Sequence, residues 1–453
     1  LRVEADQKSN RSDCDVLVIG GGPAGSTVAT LLARQGRRVV MVEKDHHPRF
    51  HIGESLLPGN VELFDQLGVR EEVDRIGMPK HGIEFVPPDS DVRSYVEFSE
   101  GWDPAKGSAW QVRRSELDEL LFRNAARQGA LTFEGAQARQ VDFDADGATV
   151  QLRRDDGSVA TWRARFVVDA SGRDTLLANK FRTKQKNTEH NSTALFGHFR
   201  DARRLPGRRE GNISICWFEH GWFWFIPLSD GTTSVGAVCW AYYLKARGDK
   251  PLKDYFFETI ALCPELNDRL KGATLVDDAV HATGNFSYCS TQATGDRHLL
   301  VGDAFTFIDP MFSSGVYLAM RSGFDAAGVV ATALDKPAEW PAARRGYEKR
   351  LRAGPSDYSW FIYRVTNPTI RDMFMHPKNT FKVKQGLMSL LAADLGHGWR
   401  FRLSLLMFKV VYYTVSLTNW RRTLDGWKRH RFNIRDMGML RGETVLKADA
   451  APD

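Results

Sequence analysis

The stretch DVLVIGGGPAGSTVATLLARQGRRVVMVEKD, residues 15–45, constrains the fold more than any other part of the chain. Asp15 to Ile19, apolar from Val16 onward, reads as a parallel strand buried on both faces. Gly20, Gly22 and Gly25 then form G-x-G-x-x-G where that strand passes into a helix. Each glycine has its own reason: Gly20 permits the tight turn, Gly22 lets backbone approach a pyrophosphate, and Gly25 allows the helix to pack closely on the strand. The helix N-terminus supplies N–H groups and a positive field for the phosphates. Glu43 closes the second strand about 20 residues after the loop, where an acceptor for ribose hydroxyls belongs. An ordinary glycine-rich turn is the alternative, but it would not call for strand, helix and acid in this order. The segment predicts a Rossmann-like βαβ unit that holds a dinucleotide.

Two further segments, RFVVDASGR (165–173) and HLLVGDAFTFIDPMFSSGVYLAM (298–320), each place an apolar strand before an acidic, glycine-containing turn. With VRRSELDELL (112–121), they resemble the glutathione-reductase-type FAD fold of the superfamily that holds aromatic hydroxylases, geranylgeranyl reductases and flavin-dependent halogenases. The resemblance implies an α/β (α+β) chain: a Rossmann-like FAD-binding domain, a mostly antiparallel substrate sheet and a helical C-terminal region. The expected boundaries are FAD-binding parts at 13–80, 113–185 and 295–338, substrate-side strands at 81–112 and 186–294, and helices over 339–453. It also implies that Asp303 contacts the ribityl-pyrophosphate, that Arg114 lies beside the flavin, and that a helix starting after the 310–316 turn faces the isoalloxazine. Plainer readings have Asp303 capping that helix and Arg114 pairing with Asp118 on the surface.

The segment GWFWFIP, residues 221–227, narrows the choice. Side chains alternate along a strand, so Trp222 and Trp224 share one face. Paired indoles are most often simply core. Here they sit in W-x-W-x-I-P, filled by Trp222, Trp224, Ile226 and Pro227, which resembles the signature of flavin-dependent halogenases. In that family the tryptophans are held to keep the organic substrate off the flavin. GESLLPGNVELFDQLGV (53–69) and PKHGIEF (79–85) are similar to segments of the same family, and Lys80 aligns with its lysine. A weaker echo continues through IYRVTNPTIRDMFMHP (362–377).

The resemblance implies an FADH2-dependent enzyme that makes hypohalous acid from a flavin hydroperoxide and passes it beyond the indoles to the amine of Lys80. Burial among apolar groups would lower the pKa of that amine and populate its neutral form. A surface lysine after Pro79 is the plain alternative. Chloride or bromide is expected at the main-chain N–H groups of Ser314 and Gly315, although Ser313 could merely cap the helix and Gly315 permit close packing. Tryptophan halogenases carry a glutamate where this chain has Phe312, so a phenol or pyrrole that brings its own activation is the expected arene. Glu54, His81 and Glu84 are weak candidates for a base, and attachment of flavin through Asp309 stays open.

Composition excludes other classes. Hydrophobic residues make up 42% and charged residues 26% of 453, which suits a large packed core and not a disordered chain. Lys and Arg exceed Asp and Glu by only 62 to 56, so nucleic acid is not an expected partner. The cysteines at 14, 216, 239, 263 and 289 show no metal spacing and point to a reduced, cytoplasmic setting. The polar start does not read as a signal peptide, and the apolar run from Leu403 to Leu417, which contains Lys409, falls short of the roughly 20 residues of a membrane span.

Arg421, Arg422, Lys428, Arg429, Arg431 and Arg435 face only Asp425 over their stretch. A solvated helix face is the plainest reading; docking of an acidic acyl or peptidyl carrier protein comes next, ahead of peripheral contact with anionic lipid. No second G-x-G-x-x-G offers a nicotinamide site, so a separate flavin reductase is expected. The competing functions are an FAD-dependent aromatic monooxygenase or reductase on the same fold, and a catalytically silent flavoprotein that binds a carrier or membrane through its basic tail.

Overall fold

The glycine loop lies at the carboxyl end of the central strand of a parallel sheet. A computed structural model describes residues 11–88, 92–190, 192–284, 287–364, 367–375, 382–394, 398–428 and 430–431. Strand Arg11–Ile19 is flanked by Val39–Val42 on one side and Val159–Asp169 on the other, both parallel to it. His298–Leu300 and Leu131–Phe133 extend the sheet outward in parallel. The antiparallel pair Ala136–Phe143 and Ala148–Arg154 joins it through Val159–Asp169. Strands drawn from distant parts of the chain thus meet at one crevice, the usual location of a ligand in an open parallel sheet.

Helix Pro23–Arg34 starts directly after the loop, with Gly22 as its N-cap and Pro23 in the first turn. Proline is favoured there because its missing N–H would have no helical partner anyway. The helix packs beside helix Gly315–Asp335, and Val28, Ala29, Leu32, Ala326 and Val330 share one buried cluster with the sheet.

A second sheet runs in the order Thr274–Leu275, Ser192–Arg200, Thr232–Trp240, Gly221–Pro227, Ile213–Phe218, Gly82–Val86 and Ser94–Glu97, with His281–Gly284 beside Ser192–Arg200. All its pairs are antiparallel except Ile213–Phe218 with Gly82–Val86. The stretch 186–294 is not all sheet, since helices Leu252–Ala261 and Pro264–Arg269 pack on its outer face.

Why four aromatic rings fall on one strand is answered by that packing. Gly221–Pro227 is buried along its whole length. Phe223 and Phe225 face Tyr255, Phe256 and Ile260, whereas Trp222, Trp224 and Ile226 face the C-terminal helices. Each fully buried ring of this size contributes on the order of 3 kcal/mol of transfer free energy. The C-terminal helices, Trp340–Ile362, Pro368–Met375, Val383–Leu391 and Gly398–Thr418, close that second face with Tyr358, Phe361, Phe374, Leu387 and Phe408. Part of the 362–377 echo, along with Arg429 and Arg435 of the basic run, lies outside the described residues.

Candidate active site

The glycines divide into two kinds by what surrounds them. Gly20 has φ +107°, and a Cβ there would lie 2.2 Å from the Ala170 carbonyl oxygen. A Cβ on Gly25 would lie 1.9 Å from the Gly20 carbonyl oxygen. A Cβ on Gly22, by contrast, would meet only the end of Arg49 at 3.6 Å. Gly20 and Gly25 are therefore needed by the fold itself, and Gly22 leaves room in front of the helix N-terminus. That room belongs to a cavity of about 560 Å³, within the range of cofactor sites.

Glu43, Arg114 and Asp303 line the same cavity. Glu43 Oε2 accepts the Gly21 N–H at 2.8 Å and its Oε1 accepts the Asp45 N–H at 3.1 Å, which fixes the carboxylate beside the loop. Arg114 does pair with Asp118, at 2.9 and 3.0 Å, but in the interior and not at the surface; its third bond goes to the Ile52 carbonyl at 2.9 Å. The guanidinium of Arg114 helps hold Asp118 ionised against burial, which acts the other way. Asp303 sits in a short turn, Gly302–Ala304, ahead of helix Gly315–Asp335 and does not cap it. Burial raises its pKa to about 6, with Arg114 and Arg173 opposing. Its carboxylate, still the dominant form at neutral pH, suits acceptance of a hydrogen bond from a ligand hydroxyl.

The cavity reaches Ser313 and Gly315 at the start of helix Gly315–Asp335, and Ser314 lies buried between them. Ser313 adopts a left-handed φ of 55°, so it does not cap the helix; Ser314 stands at the N-cap with no side-chain bond. Among the described residues the Ser314 and Gly315 N–H groups have no acceptor, and they stand in the positive field of a 21-residue helix, an arrangement able to hold an anion. Asp309 is occupied: it accepts from Ser192 at 2.9 Å and from the Met311 N–H at 3.0 Å, with His190 Nε2 at 2.7 Å. Phe312 is enclosed by Tyr358, Phe361 and Phe374, so an apolar residue fits there and a glutamate would be stranded.

Trp222 and Trp224 form part of the cavity wall, with centroids 6.2 Å apart. Trp224 lies across Gly236 of the neighbouring strand, where a Cβ would be only 2.2 Å from the indole, and its Nε1–H donates to Ser234 at 3.1 Å. Gly236 was the overlooked partner: a glycine inside the strand run TTSVGAVCW is the sequence mark of such a close approach.

Lys80 ends strand Met78–Lys80 and is 0% exposed. Its Nζ donates to Ser55 Oγ at 2.8 Å and to the Leu56 carbonyl at 3.1 Å, and it stands 5.2 Å from the centre of the Phe98 ring. No carboxylate pairs with it among the described residues, and burial lowers its pKa to about 7. Ser55 lines the cavity, whereas Lys80 stands behind it. Sequence reasoning matched residues 53–69 to a halogenase segment without singling out Ser55; a small hydroxyl in that segment was the only sign.

Of the weak base candidates, Glu84 is engaged by Arg269 at 2.8 Å, by Tyr95 at 3.0 Å and by Ser214. Burial lowers the pKa of His81, which lies away from the cavity lining. Glu54 lines the cavity, with His198 Nε2 2.6 Å from its Oε1. Arg49, also missed, spans Glu43 at 3.3 Å and Asp118 at 3.2 Å and so couples the two carboxylates.

Residues 13–341 match the FAD binding domain family. A flavin-dependent halogenase of Armillaria mellea is 34% identical over 345 residues, covering 71% of this chain and 68% of its own length. A tryptophan 2-halogenase of Chondromyces crocatus is 35% identical over 345 residues, covering 75% of this chain and 65% of its own. The chain thus spans about two thirds of these relatives. Among solved structures, the myxobacterial chondrochloren halogenase superposes with a TM-score of 0.75 at 30% identity, over 86% of this chain and 99% of that one. A flavoprotein/dehydrogenase of Cytophaga hutchinsonii reaches 0.82 at 27% identity, over 90% of this chain and 100% of that one.

Proposed function

The chain belongs to the flavin-dependent halogenases, and from that premise we propose that it installs chlorine or bromine on an electron-rich aryl group, with Lys80 as the amine that directs the halogen. The observation that carries this reading is a lysine with no carboxylate partner among the described residues, fully buried, with a pKa near 7, one hydroxyl removed from the cofactor cavity. Burying an ammonium without a counter-ion is costly, and a chain gains little by it unless the neutral amine is used.

Gly22, Glu43, Arg114 and Asp303 would hold FAD, which when bound and reduced would activate molecular oxygen, the two-electron oxidant that turns halide into hypohalous acid. The N–H groups of Ser314 and Gly315 would donate to the halide. Trp222 and Trp224 would block the arene from the flavin while leaving a path for a small oxidant. Lys80 then hydrogen-bonds the hypohalous acid, or its neutral amine takes the halogen from it with release of water and carries it as a haloamine, and in either state fixes where the ring is attacked. Phe312 stands in an aromatic cluster, Glu84 is held by Arg269, and Glu54, which does line the cavity, is paired with His198, which favours phenols and pyrroles over an unactivated arene. The likeness to a tryptophan 2-halogenase pulls the other way. A separate reductase would supply reduced flavin, and the arene would arrive free or on an acyl or peptidyl carrier.

A second reading, oxygenation or reduction without halogen, draws on the likeness to the flavoprotein/dehydrogenase and on the indoles lining the same cavity as the glycine loop. Product masses separate the two. Phenols and pyrroles, free and carrier-bound, are incubated with the enzyme, a reductase and bromide or chloride. A halogen isotope doublet that needs the halide supports the first reading, and addition of oxygen regardless of halide supports the second.

A further inference from the structure

Helix Gly398–Thr418 is apolar on two opposite sides. Phe401, Leu405, Phe408 and Tyr412 point into the core. On the outside, Trp399, Leu403, Leu406, Val410, Tyr413 and Leu417 are exposed, and Trp420 and Leu424 continue the row beyond the bend at Asn419. The steps alternate between four and three residues, so along the helix these side chains share one outward face that drifts slowly around the axis, a row on the order of 30 Å long from Trp399 to Leu417 that Trp420 and Leu424 extend past the turn. Exposure reaches 70% at Trp399 and 75% at Leu417. Soluble surfaces seldom leave so long a contiguous apolar row uncovered. A shallow apolar hollow of about 300 Å³ opens within it, lined by Tyr413, Leu417, Trp420, Leu424 and Trp427.

The charges beside the stripe choose its occupant. Arg400, Arg402, Lys409, Arg421 and Lys428 border it, and residues 398–428 contain a single acid, Asp425. Two copies joined along the stripe would set these cations against one another, since the positions flanking such a seam decide pairing by charge. The helix is not a span, because no helix among the described residues is long and apolar enough to cross a membrane and its inner face is docked on the protein. An outward apolar face with tryptophans along it and cations on both margins is the cross-section of a helix lying in a lipid–water interface.

We propose that this face adsorbs to a lipid surface bearing anionic headgroups, with the stripe in the acyl boundary and the hollow at Trp420 taking hydrocarbon. A compact acidic carrier would meet the cations but would not need the outer apolar row along its whole length. The proposal stands apart from the chemistry at Lys80.

The test is flotation of the FAD-loaded full chain with vesicles of phosphatidylcholine alone and of phosphatidylcholine mixed with phosphatidylglycerol. Wild type is expected to float with the anionic vesicles at low salt and to be released by high salt. Leu417→Asp/Trp420→Asp should lose at least roughly tenfold in the bound fraction, and Arg400→Gln/Arg421→Gln/Lys428→Gln should lose a similar amount while keeping the apolar row. Retained flavin absorbance and unchanged turnover of a soluble arene would show that both variants are folded. Wild type remaining in solution with both vesicles overturns the proposal, as does equal flotation of the variants. A stripe-dependent dimer, or a stripe-dependent complex with an acidic carrier protein, in the absence of vesicle binding also overturns it.

Discussion

Lys80 Nζ donates to Ser55 Oγ at 2.8 Å, so a fully buried amine touches the wall of the cofactor cavity through a single hydroxyl. Nothing charged neutralises it among the described residues. Its behaviour with pH is therefore set by burial alone, and two expectations follow from that.

Halogenation should rise with pH through about 7 and level off above it, because the reactive form is the unprotonated amine. The check is the initial rate with saturating reduced flavin and halide between pH 5.5 and 9, at roughly half-unit steps wide enough to bracket a single ionisation. A flat profile, or one that falls through the same range, would remove the neutral lysine from the chemistry.

Stability should move in the same sense. The folded pKa is about 7 and the unfolded value 10.5, so between them the unfolded chain binds the extra proton and folding gains with rising pH. Each pH unit within that window adds up to about 1.4 kcal/mol to the wild type. Lys80→Met should therefore be stabilised most, relative to wild type, at pH 7 and below, and the gap should close towards pH 10. Thermal unfolding of both proteins across that range measures it.

Gly22 and Gly25 should respond oppositely to a methyl group. Gly25→Ala forces a contact with the Gly20 carbonyl oxygen and should cost about 1–3 kcal/mol or prevent folding. Gly22→Ala meets only the end of Arg49, so stability should stay within about 0.5 kcal/mol while FAD affinity falls by roughly tenfold or more. Thermal melts and flavin titration of the two variants distinguish these outcomes.

Gly236→Ala should displace the Trp224 indole, which cannot keep its place 2.2 Å from a new methyl. The expected results are a loss of about 1–3 kcal/mol and a higher ratio of hydroxylated to halogenated phenol, as the arene gains access to the flavin. Product ratios unchanged from wild type would mean that the indoles are core and not a partition.

The parallel sheet and its loop were legible in the sequence because the first needs there are local and strict: Gly20 has a positive φ, and a Cβ on Gly25 would strike the Gly20 carbonyl oxygen five residues before it. The alternation that puts Trp222 and Trp224 on one face was legible for the same reason. What those indoles rest on was not, since Gly236 is their neighbour only through strand pairing. Ser55, Arg49 and the Glu84–Arg269 pair were hidden likewise, each defined by a partner brought close by the fold. The outer row of Gly398–Thr418 read as a plain apolar run because a run does not reveal which of its faces is covered.

Lys80→Met puts the central claim to its most direct trial. The variant is loaded with FAD, supplied with reductase, halide and a phenol that wild type halogenates, and its products are weighed while peroxide release and flavin absorbance are followed. The account predicts bound flavin and continued peroxide release with halogenated product reduced by roughly 100-fold or more. Halogenated phenol formed at close to the wild-type rate would contradict it.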